Sequence, residues 1–70
     1  MRVTVSNEVH TLRMKRNITQ EELAEKLGVS RQTIIAIEKG NYTPSILLAL
    51  KISNFFNTPV EAVFTIRYAK

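Results

Sequence analysis

The sequence predicts an all-α fold, a compact domain of five short helices with a small antiparallel β-ribbon made from the two termini. Three observations predict it. Helix start and stop signals recur along the chain: Thr19 with Glu22, Ser30, Thr43-Pro44 and Thr58-Pro59 as starts, Gly28, Gly40 and Asn57 as stops. Between those signals apolar residues fall three and four positions apart, the spacing of one helical face. Strict alternation is confined to the ends, near residues 2–5 and 64–68.

Each element follows in order. Val3 and Val5 share a face of the first strand. Ser6 or Asn7 caps a first helix with the stripe Val9, Leu12, Arg13 and Arg16, ending near Asn17. Thr19 and Glu22 form a capping box that opens the second helix, whose stripe is Leu23, Ala24 and Leu27. Gly28 then supplies the left-handed turn that costs glycine little. Ser30 caps the third helix, with Ser30, Thr33, Ile34 and Ile37 on its inner side, and Gly40-Asn41 closes it. Thr43 as cap and Pro44 at the first helical position open a fourth helix running to Phe56. Asn57 takes the left-handed stop, and Thr58-Pro59 starts a short fifth helix ending near Val63. The alternating run 64–68 then returns to pair with 2–5.

Residues 19–38 thus predict two short helices joined by a tight glycine turn, the helix-turn-helix that presents a recognition helix to the DNA major groove. Small Ala24 sits where the two helices should cross. Seventy residues, 1–70, form one domain with room for one core. The 44% hydrophobic content is that of a globular chain. No run approaches a membrane span and the start is too polar for a signal peptide, so a soluble cytoplasmic protein is expected. Without cysteine there is no disulfide framework and no thiolate metal site. A formal charge of +4 favours an anionic partner.

The residues Thr19-Gln20, Ala24, Gly28-Val29-Ser30, Ile34, Ile37-Glu38-Lys39-Gly40, Tyr42, Pro44-Ser45 and Leu48 resemble the Cro/C1-type family of repressors. The run SRQTIIAIEKGNYTPSILLALKI is similar to a subgroup of very short regulators that includes the cytolysin repressor. The resemblance spans roughly residues 8–64. It implies a helical core that binds double-stranded DNA and, for the subgroup, a homodimer with a terminal β-ribbon.

Arg31, Gln32, Ile35 and Ala36 lie opposite the inner face of the third helix and are the candidate base readers. An arginine fork suits guanine O6 and N7, a glutamine suits adenine, and each good bidentate contact discriminates by about 1–3 kcal/mol. Ile35 departs from the subgroup, which more often carries a polar residue there. It is either a thymine-methyl contact or an incidental surface residue. Gln20 stands at the amino end of the second helix, where free amides and the dipole attract phosphate. The resemblance implies that it touches the DNA backbone and braces the recognition helix. Ser30, Thr33, Lys39, Asn41 and Tyr42 are further backbone candidates, although Tyr42 is expected first as a lid packed over the core.

Arg13 and Glu38 both fall on apolar stripes, where a lone charge is costly, and mutual pairing resolves both. The resemblance implies such an ion pair between the first and third helices. Leu47 and Leu50, with Ile46 and Leu48, wrap more than one face of the fourth helix. With Val60, Val63 and Phe64 they form the candidate dimer interface. His10 is the only histidine and has no carboxylate cluster in its sequence neighbourhood, so no metal, catalytic residue, cofactor or small-molecule ligand is expected. The alternative to a sequence-specific regulator, by expectation a repressor on a palindromic operator, is an antitoxin-like module that binds another protein.

Overall fold

The computed structural model of the chain describes residues 2–69. It consists of β1 (Arg2–Asn7), α1 (Val9–Lys15), α2 (Gln20–Leu27), α3 (Arg31–Lys39), α4 (Ile46–Phe56), α5 (Val60–Val63) and β2 (Phe64–Ala69). β1 and β2 form an antiparallel ribbon in the register Val3↔Tyr68, Val5↔Ile66 and Asn7↔Phe64. Five helices and a terminal ribbon match the fold expected from the sequence.

Local chemistry sets the boundaries of α2 and α3 and the end of α4 where the sequence places them. The Thr19 hydroxyl accepts from the Glu22 N–H at 3.0 Å, and the Glu22 carboxylate accepts from the Thr19 N–H at 2.8 Å, which closes the capping box. Gly28 (φ 75°) and Gly40 (φ 80°) end α2 and α3 in the left-handed region, and Asn57 (φ 51°) ends α4 the same way. Ser30 Oγ accepts from the Thr33 N–H at 3.2 Å. That capping position leaves Ser30 exposed instead of on the inner face.

Five boundaries differ. The strands run to Asn7 and from Phe64 to Ala69, longer than 2–5 and 64–68. α1 stops at Lys15, and Asn17 turns left-handed (φ 56°). α4 begins at Ile46 with Ser45 as its cap, because Ser45 Oγ accepts from the Leu48 N–H at 3.2 Å, so Thr43-Pro44 lies before the helix. Pro59 is the cap of α5, while the Thr58 hydroxyl turns back to donate to the Phe56 carbonyl.

The core joins Val9, Leu23, Ala24, Leu27, Ile34, Ile37, Leu48, Ile52, Phe56 and Val63. Each large apolar side chain buried there contributes about 1.5–3 kcal/mol over exposure. Arg16, on the predicted stripe of α1, is exposed but lays its guanidinium over Phe55 and Phe56, 5.2 and 5.4 Å from their ring centres. Val63 is fully buried within the core, so it is not available to a dimer partner. It is the last residue of the short α5, and β2 begins at the next residue.

Candidate nucleic-acid interface

α2 and α3 pack on each other through Leu23, Ala24, Leu27, Ile34 and Ile37, which fixes what α3 shows to solvent. Arg31 and Gln32, in its first turn, are exposed. Ile35 and Ala36 are half-buried, so Ile35 is not the freely exposed isoleucine that the helical wheel suggests. The i±1 neighbours Ile34 and Ile37 draw that side of the helix against the core. Thr33 is half-buried, its hydroxyl 3.0 Å from that of Ser30. Lys39 and Asn41 are exposed at the opposite end of α3. Tyr42 is 45% exposed and is not a packed lid.

Gln20 opens α2 and is half-buried. It lines an open groove between the end of α1 and the start of α2, together with Thr19, Arg13 and Arg31. Glu21, Glu22 and Glu25 also line that groove. Thr19 engages the Glu22 carboxylate through its backbone N–H, which holds the carboxyl below its ordinary range.

Beneath this surface lies a connected polar centre. Arg13 Nε donates to Glu38 Oε2 at 2.8 Å and Nη2 to Oε1 at 3.2 Å, with both side chains under 10% exposed (9% and 7%). Arg13 Nη1 also donates to the Ile18 carbonyl at 2.9 Å. Gln20 Nε2 donates to Glu38 Oε1 at 3.1 Å, and His10 Nδ1 lies 3.3 Å from the same oxygen. Burial pushes the Glu38 carboxyl up. The hydrogen bonds from Arg13 and Gln20, the Arg13 charge and His10 together outweigh it, so Glu38 titrates below the ordinary carboxylate range. The Arg13 guanidinium is correspondingly raised, chiefly by its bond to Glu38 against the opposing cost of burial.

Two contacts escaped sequence reasoning, that of Asn7 with α3 and that of His10 with Glu38, although Asn7 is expected near the start of α1 as a cap. Asn7 Nδ2 donates to the Ile37 carbonyl at 2.9 Å while its Oδ1 accepts from the Val9 N–H at 3.1 Å, tying the ribbon and α1 to the end of α3. His10 joins the Glu38 centre, and its position one turn before Arg13 on α1 is the signal that could have found it. Leu47 and Leu50 are 65% and 47% exposed on α4, whereas Val60 and Phe64 are half-buried. Among the described residues no group of three His, Asp or Glu side chains could hold a metal, and no helix is long and apolar enough to cross a membrane.

A buried two-helix unit with an exposed polar first turn on the second helix defines the class of helix-turn-helix DNA-binding domains. The chain belongs to the helix-turn-helix family of Cro/C1 type, whose pattern matches residues 9–63. It is 57% identical over 60 residues to an HTH-type transcriptional regulator of Methanocaldococcus jannaschii, covering 86% of this chain and 91% of the relative. A Bacillus subtilis HTH-type transcriptional regulator is 52% identical over the same shares. The cryptic phage CTXphi transcriptional repressor of Vibrio cholerae is 34% identical over 55 residues, 79% of this chain and 50% of the relative. The protein is accordingly a DNA-binding transcriptional regulator and not an enzyme.

Proposed function

We propose that the chain is a sequence-specific repressor that binds a palindromic operator in double-stranded DNA as a homodimer, with α3 in the major groove. One observation carries this. Arg31 and Gln32 stand exposed in the first turn of α3, and Arg31 shares a groove with Gln20 at the start of α2. Arg31 and Gln32 then read base edges, with Ile35 and Ala36 flanking them closer to the core. Gln20, Ser30, Thr33, Lys39, Asn41 and Tyr42 hold the backbone on either side. Glu21, Glu22 and Glu25 line the groove with Arg13 and Arg31, so phosphate is held at its mouth by Gln20 and the first turn of α3 and not deep among the carboxylates. Two of its relatives are named as phage repressors and one as an activator, which supports repression as the sign of regulation. Action on cellular or phage DNA makes the cytoplasm its compartment.

One recognition helix touches only a few base pairs, too few to specify a site in a genome, so two copies act together. The uncovered apolar residues of α4, Ile46 at 80% exposure with Leu47 and Leu50, provide the contact, joined by Val60 and Phe64. The same patch would serve the antitoxin-like alternative, in which another protein covers it.

The test compares binding of a selected operator and of random duplex across a salt series. Arg31→Ala and Gln32→Ala are expected to lose about ten- to hundredfold on the operator and little on random DNA. Lys39→Ala is expected to weaken both alike and to lower the salt slope by about one. An Arg31→Ala variant that keeps its full operator preference would move the reading surface elsewhere.

A further inference from the structure

The Arg13–Glu38 pair does more than neutralise two buried charges. Glu38 Oε1 also takes the Gln20 Nε2 donor at 3.1 Å, and Gln20, like Arg13, lines the groove that Arg31 also lines. We propose that Glu38 is a positioning residue for DNA binding, acting through Gln20. It holds the carboxamide with its donor inward and its carbonyl outward before DNA arrives. This rests on the placement of the α2–α3 face against DNA.

The chemistry permits only one orientation. A carboxylate is an acceptor alone, so the amide nitrogen of Gln20 satisfies Glu38 and a flipped amide would set oxygen against oxygen. Bonds to a charged acceptor are also shorter and stronger than neutral ones. Arg13 keeps that acceptor charged and fixed, with two donors on the same carboxylate. The outward half of Gln20 therefore offers a carbonyl oxygen and one remaining N–H. The N–H suits a phosphate oxygen. The carbonyl suits the Arg31 guanidinium, whose fork it would steer toward a guanine edge. A glutamine already held in place loses less side-chain freedom on binding than a free one.

A double-mutant cycle on DNA affinity tests this, with a duplex recovered from a random-sequence pool as probe. Affinities are read well below the melting temperature of every variant. Glu38→Gln is expected to weaken binding about tenfold in the unaltered chain and to have almost no further effect beside Gln20→Ala. Equal losses in both backgrounds would overturn the proposal. Gln20→Met keeps the ion pair and the side-chain length, and it is expected to bind as weakly as Gln20→Ala while unfolding like the parent chain. In the free protein, the Gln20 side-chain amide protons are expected to exchange slowly and to move to free-amide shifts in Glu38→Met, which leaves no acceptor oxygen there. Free-amide behaviour in the parent chain would also overturn the proposal. Arg31→Ala separates the failures. If it weakens binding while the cycle is additive, positioning alone fails; if it binds normally, the DNA face is elsewhere and both fail.

Discussion

Arg13 and Glu38 stand on apolar stripes in the sequence, and in the fold their side chains meet at 2.8 Å with little exposure. Stranding one of two buried charges costs far more than the net worth of the pair, so Arg13→Ala and Glu38→Ala are each expected to lose about 3 kcal/mol. In denaturant melts the double variant is expected to lose much less than the two singles added together. Strict additivity would mean that the two are energetically independent. The same pair predicts a pH dependence. Glu38 titrates below the ordinary carboxylate value in the folded state, so its contribution is present above the unfolded value of about 4.5 and is lost as pH falls through the lower folded value. Urea midpoints measured from neutral pH downward are expected to fall below about 4.5, and less steeply in Glu38→Gln.

At the scale of elements, the sequence is most legible where backbone conformation dictates residue type. Gly28 and Gly40 stop α2 and α3 because the left-handed region excludes most side chains, and Asn57 is among the few that tolerate it. The start of α4 was less legible, since Thr43 and Ser45 are both good caps and proline after threonine is itself a start signal. What decides it is the Ser45 hydroxyl at the Leu48 amide. Ser45→Ala is therefore expected to cost about 1 kcal/mol in thermal or denaturant melts and Thr43→Ala almost nothing; the reverse order would move the cap back. Val63 and Ile35 were misplaced for one reason. Helical periodicity ranks faces but does not say how far the neighbouring helix or strand closes over them. The bond from Gln20 to Glu38 was not visible as geometry at all, because it joins the start of one helix to the end of the next.

For the whole molecule, two features face outward for different purposes. In the proposed complex the polar first turn of α3 meets DNA, and the exposed apolar α4 residues Ile46, Leu47 and Leu50 meet a second copy. If the two-fold dimer holds, its recognition helices lie about 34 Å apart, one turn of the duplex. The decisive measurement is selection of bound duplexes from a random-sequence pool, run on the parent chain and on Leu47→Glu. Leu47 is 65% exposed, so the added charge disturbs assembly and not the core. The parent chain is predicted to enrich two inverted half-sites centred about 10 base pairs apart. Leu47→Glu is predicted to sediment as a monomer and to lose that pairing. Enrichment of a lone half-site by the parent chain, or of no sequence at all, would contradict a dimeric operator-binding regulator.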